Sequence, residues 1–128
     1  MSSATPSPLS ERDWRTYVLD MVEFCDKVQA YTAGFDLAGL LLEPMRFDAV
    51  ARNLELLGEA ATHVPADVRA RWPDIPWRQI VATRNRLAHG YITIEPETLW
   101  LIITGHLPPL RSRLVALAAE GSPPMAGG

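Results

Sequence analysis

Cysteine is nearly missing from this 128-residue chain: Cys25 stands alone, so neither an internal disulfide nor a Cys/His zinc spacing is available. Lysine is equally scarce, since Lys27 is the only one and the other cationic side chains are arginines. An excess of positive charge is lacking too, with a formal net charge of −3 and a sequence pI near 5.5. Proteins that coat nucleic acid by bulk electrostatics are basic, so any grip on a polyanion must come from a local patch. The strongest apolar run, Leu99 to Thr104, falls far short of the ~20 residues a membrane-crossing helix needs. The opening Met1-Ser2-Ser3-Ala4-Thr5-Pro6 shows no basic segment followed by an apolar one, so no signal peptide is expected and a cytoplasmic protein without membrane contact fits. Alternating β-branched residues occur only at Tyr91–Ile94, which argues against a sheet.

Apolar residues make up 48% and charged residues 21% of the chain, ordinary usage for one folded domain. Residues 1–9 are rich in Ser and Pro and residues 119–128 in Gly, Pro and Ala, so a disordered leader and tail are expected around a helical domain over 10–118. Ser10 followed by Asp13 resembles a capping box. From there Trp14, Val18, Met21, Cys25 and Val28 recur at steps of three and four, predicting a helix that stops near Gly34. Its stripe places Cys25 in the core. Phe47, Val50, Leu54, Leu57, Ala61 and Val64 mark a second helix, stopped by Pro65. A short helix fits Ala66–Trp72. Pro76 opens a third long one with Ile80, Val81, Leu87 and Ala88 on its apolar side and Gly90 as its stop. A last helix begins at Pro96 and carries Leu99, Ile102, Ile103, Leu107, Leu110, Leu114 and Leu117, with a kink or break expected at Pro108-Pro109. Four main helices with short connections make an all-α, up-and-down bundle.

Chemistry concentrates in Thr83-Arg84-Asn85-Arg86-Leu87-Ala88-His89-Gly90-Tyr91, which gathers a cation, an amide, an imidazole and a phenol at one helix end. On an ideal helix Arg84 and His89 point about 140° apart. They converge only if the helix loosens before Gly90 or a second subunit contributes. Asn85 and His89, four residues apart, share a face. Taken as packing, His89 caps a helix C-terminus, Arg84 pairs with an acid and Tyr91 is a core aromatic. His63 and His106 read as capping or surface residues, and Trp14, Trp72, Trp77 and Trp100 as core or interface anchors.

Arg84-x-x-x-x-His89-x-Tyr91 resembles the Arg-polar-x-x-x-His motif of HEPN ribonucleases in its HepT form. Arg52-Asn53-Leu54-Glu55-Leu56-Leu57-Gly58-Glu59-Ala60-Ala61 is similar to that family's second-helix signature, and Ile75-Pro76-Trp77-Arg78-Gln79-Ile80-Val81 to the start of its motif helix. Trp100 and the Leu107-Pro108 step also fall where the family has them, so the likeness spans about residues 13–118. Leu101-Ile102-Ile103-Thr104-Gly105-His106 departs from it in being more apolar, and Pro109 adds a second proline.

The resemblance implies a HEPN-type bundle and a type VII-like toxin–antitoxin system whose toxin is a metal-independent endoribonuclease without cofactor. The ribose 2′-hydroxyl attacks the adjacent phosphorus, leaving a 2′,3′-cyclic phosphate and a 5′-hydroxyl. His89 is then the acid/base, Arg84 the stabiliser of phosphorane charge, and Asn85 a support that orients His89 or holds a phosphate oxygen. One histidine per chain calls for a homodimer with its site at the interface. Tyr91 is the residue that a cognate nucleotidyltransferase antitoxin would AMPylate with ATP, placing bulk and negative charge beside Arg84 and His89. Arg78 and Arg86 flank the motif as candidate RNA contacts, with Arg69 and Arg71 extending the track. Glu59 receives no chemical role. The alternatives are a non-catalytic partner of a minimal nucleotidyltransferase that keeps the motif for Tyr91, and a plain helical dimerisation module.

Overall fold

The computed structural model describes residues 8–90 and 94–120, with side-chain surroundings from Trp14 onward. Residues 1–7 of the expected leader, residues 121–128 of the expected tail, and Tyr91 lie outside them. The described chain is helical without strands: α1 (Pro8–Thr32), α2 (Leu37–Leu41), α3 (Pro44–Ala61), α4 (Ala66–Arg71), α5 (Trp77–Ala88), α6 (Pro96–Leu101), a π-helical turn (Ile102–His106) and α7 (Leu107–Ala118). No helix among the described residues is long and apolar enough to cross a membrane.

Four long helices form the bundle as the apolar periodicity predicts. Helix α1 packs on both α3 and α7, and α5 packs on α3. The α1 stripe of Val18, Met21, Cys25 and Val28 is fully buried, and it meets Val50, Leu54, Leu57 and Ala61 of α3 and Leu107, Leu110, Leu114 and Leu117 of α7 in one core. Burial pushes the Cys25 thiol up to about 12, with the neighbouring Asp26 charge adding to the effect, so this cysteine is packing, not a nucleophile. Trp14 and Trp77 are buried, while Trp72 and Trp100 pack half-buried against the core. Ala88 faces solvent instead of joining the α5 apolar side.

The helix ends follow local chemistry. Helix α1 begins at Pro8, a first position where a missing N–H costs nothing; Ser10 therefore lies within the helix and not at its cap. Gly34, at φ 81, turns the chain after α1. Helix α2 was not expected: it is one turn, held by Asp36 Oδ1 accepting from the Gly39 N–H at 2.8 Å. The kink expected at Pro108-Pro109 takes the form of the π turn. Neither proline can donate to a preceding carbonyl, and their rings crowd the turn before them. The ladder widens ahead of them, with the Leu107 N–H reaching back five residues to the Ile102 carbonyl. Both prolines then occupy the first turn of α7, where their missing N–H groups cost nothing.

The C-terminal end of the described chain is tied down. Glu120 accepts from Arg71 Nη2 and from Trp72 Nε1, both at 2.7 Å, and Arg15 donates to its backbone carbonyl. These donors hold the Glu120 carboxyl below the usual carboxylate range.

Candidate active site

Helix α5 carries the motif because its two ends are set by backbone chemistry. Pro76 precedes its first turn, and Ile80 and Leu87 anchor one side in the core. Its last residue is Ala88; His89 leaves the helix with φ −91 and ψ 0, and Gly90 has φ 117, a conformation that favours glycine. The helix thus releases His89 one residue before Gly90.

His89 is exposed, and its Nδ1 lies 2.7 Å from the backbone carbonyl oxygen of Asn85. A carbonyl oxygen only accepts, so in this contact Nδ1 carries the proton and Nε2 is left as the other ring nitrogen. The Asn85 side chain does a different job, its Oδ1 accepting from Arg84 Nη1 at 2.8 Å. Arg84 and His89 share no direct hydrogen bond among the described contacts; both are referred to Asn85, one through its side chain and one through its backbone.

Arg84 has a second partner that sequence reasoning missed. Its Nη2 donates to Glu59 Oε1 on α3, so the guanidinium is held on two sides. The close approach that permits this depends on Gly58. A Cβ there would stand 2.2 Å from Arg84 Cβ and 2.9 Å from the Ile80 carbonyl oxygen, so only glycine lets α3 and α5 meet at this level. Glu59 Oε2 also lies 3.6 Å from His63 Nε2, and the His63 ring stacks on Tyr17 with centroids 4.4 Å apart. The signal available in the sequence was the presence of Gly58-Glu59 in the family-like block; nothing in the linear spacing pairs Glu59 with Arg84.

The remaining arginines divide between two sides of α5. Arg78 lines a groove of about 740 Å3 between α4 and α5 together with Arg69 and Asn85. Arg86 lines another cleft, of about 520 Å3, with Leu54, Leu107 and His106. Arg71, expected to extend a basic track, is instead engaged by Glu120 and Asp67. Among the described residues no group of three or more His, Cys, Asp or Glu side chains is gathered closely enough to hold a metal ion.

Comparison with known proteins identifies the family. The profile of the "Ribonuclease HepT-like" family matches residues 21–117. The chain is 31% identical over 106 residues to a protein of Methanocaldococcus jannaschii provisionally named an RNase, covering 83% of this chain and 97% of that one. It is 28% identical over 107 residues to a protein of Thermococcus cleftensis provisionally named ribonuclease HepT, covering 84% and 97% respectively. A provisionally named RNase of Caldanaerobacter subterraneus is 25% identical over 100 residues, covering 78% and 89%. No solved structure matches the chain.

Proposed function

The chain belongs to the HepT-like ribonuclease family, an endoribonuclease by lineage, and from that premise we propose that it cleaves RNA by metal-independent transesterification with Arg84 and His89 as the catalytic pair. The observation that carries this reading is the seating of His89: Nδ1 is occupied by the Asn85 carbonyl on an exposed side chain, which leaves Nε2 as the nitrogen for proton transfer.

The reaction is balanced by two proton transfers. The ribose 2′-oxygen bonds to phosphorus while its proton passes to a neutral imidazole Nε2. The 5′-oxygen leaves with the bonding pair and takes a proton from an imidazolium, giving a 2′,3′-cyclic phosphate and a 5′-hydroxyl. Histidine suits both roles because imidazole exchanges protons near neutral pH. Arg84 neutralises charge that builds on the phosphorane oxygens, and a guanidinium already held by Glu59 and Asn85 loses little freedom in doing so. A single chain offers one His89, so the donor and the acceptor come from two copies related by a twofold axis.

Regulation rests on Tyr91, two residues past His89. An adenylyl group transferred from ATP to its phenol by a nucleotidyltransferase antitoxin places a phosphodiester negative charge and a nucleoside beside Arg84 and His89, where the RNA phosphate must sit. Mass spectrometry after co-expression should find an added adenylyl mass on Tyr91 that Tyr91→Phe lacks; an unmodified Tyr91 would remove this part of the reading.

The chemistry is tested by end-group analysis of cleaved RNA. The products should carry 2′,3′-cyclic phosphate and 5′-hydroxyl ends, and a 2′-deoxy substitution at the scissile nucleotide should abolish cleavage. Products bearing 5′-phosphate ends would refute the mechanism.

A further inference from the structure

The geometry points to the groove between α4 and α5 as the seat of the RNA backbone beyond the scissile phosphate, held by Arg69 and Arg78. This inference rests on the ribonuclease reading above and extends it from the reacting atoms to the bound strand.

The first observation is the way cations and carboxylates are distributed. Arg46, Arg52, Arg71, Arg84, Arg111 and Arg113 each pair with a carboxylate. Among the described residues Arg69 and Arg78 have no such pair, and both line the same groove. The two acids close in sequence are taken, Asp67 by Arg71 and Asp74 by Arg113. On a chain of net charge −3, this leaves a groove whose walls carry two uncompensated guanidinium groups.

The second observation is continuity with the motif. Asn85, which holds Arg84 on one side and His89 on the other, lines the same groove. Arg78 lies seven residues before Asn85, on the same side of α5 and about 10 Å away along the helix axis. A strand whose scissile phosphate sits at Arg84 and His89 therefore runs past Asn85 toward Arg78, with Arg69 on the α4 wall. The groove volume of about 740 Å3 is within the ~300–1,000 Å3 range of ligand clefts. The chemistry that matches it is a chain of phosphodiesters, since paired guanidinium forks suit phosphate oxygens. Arg86, on the opposite cleft, is not part of this seat.

The test separates binding from cleavage. In a His89→Ala background, affinity for a fluorescent single-stranded RNA is measured across a salt series, alone and with Arg69→Gln plus Arg78→Gln. The double variant should bind about tenfold more weakly at low salt. Its log–log salt slope should fall in magnitude by about 1.4, at about 0.7 per lost phosphate contact on a single strand. Arg52→Gln, which removes a cation paired to Glu55 at 3.5 Å, should leave affinity and slope unchanged. Thermal melts check folding; if Arg69→Gln melts early, Arg78→Gln alone should still lower the slope by about 0.7. An unchanged slope, or no RNA binding in the background protein, would overturn the inference even if the wild type cleaves. A lowered slope with no cleavage by the wild type would leave the groove standing and remove the nuclease chemistry. An unchanged slope with a smaller sedimenting species would assign the groove to subunit association instead.

Discussion

Gly58→Ala is the perturbation that probes most directly how the site is built. A methyl group at this position would lie 2.2 Å from Arg84 Cβ, 3.0 Å from Arg84 Cγ and 2.9 Å from the Ile80 carbonyl oxygen. Carbon atoms in contact sit about 3.5–4.0 Å apart, so relief demands a shift of more than an ångström. The flexible end of a side chain cannot supply it, because the opposing atoms are a Cβ and a backbone oxygen. Helices α3 and α5 must separate instead. Overpacking of this kind costs about 1–3 kcal/mol, occasionally more, and the rigid opponents put this case at the upper end. Replacing glycine inside a helix returns about 0.8–1.0 kcal/mol in propensity. Destabilisation wins, by about 2 kcal/mol, or roughly 6–12 °C in melting temperature for a domain of this size. The same separation draws Arg84 from Glu59, so cleavage should fall about tenfold or more at temperatures where the variant is still folded. Melting curves and cleavage rates are the assay, with Gly105→Ala as a control because a methyl there meets nothing within 4 Å. A Gly58→Ala protein that melts at or above the wild type would refute the close α3–α5 approach and the seating of Arg84 derived from it.

Three further outcomes follow from the geometry. Glu59→Gln keeps the shape of the Arg84 partner but removes its charge; kcat should drop about tenfold while stability moves by less than about 1 kcal/mol, since the pair is partly exposed, and an unaltered kcat would deny Glu59 its positioning role. Cys25 should resist an aromatic disulfide reagent in the native protein and react fully in denaturant, because it is buried and its thiol is pushed up to about 12; rapid native labelling would contradict the core assignment. Glu120 has its carboxyl lowered in the folded chain by Arg71 and Trp72, so the stability it contributes is complete above the unfolded carboxylate value of about 4.3 and is lost as pH falls through the lower folded value. Glu120→Gln should flatten that acid limb in pH-dependent melts, and an unchanged limb would mean that the clamp is not formed in solution.

Much of the bundle was legible because the cues are local and repeated. Steps of three and four apolar residues mark α1, α3 and α7, and Pro65, Pro76 and Gly90 punctuate the chain where helices stop and start. What escaped depends on shorter or longer range. Helix α2 is a single turn fixed by one Asp36 cap, too short to show a period. The proline pair announced a disturbance, but a kink and a π turn both accommodate residues that lack an N–H donor. In the site, Arg84, Asn85 and His89 stand close in sequence and could be read together. The carboxylate that holds Arg84 lies 25 residues away on another helix, and only the absence of a side chain at Gly58 brings it near. Arg78 and Arg86 looked like one cluster along the sequence, yet eight residues rotate about 80° around a helix, which sends them to different clefts.

The most direct test of the central claim is RNA cleavage by the purified protein, unmodified at Tyr91, with EDTA present and His89→Ala alongside. Cleavage that persists in EDTA and disappears in His89→Ala is the predicted result. No cleavage by the wild type, or equal cleavage by the mutant, would contradict it and favour the reading as a non-catalytic helical partner.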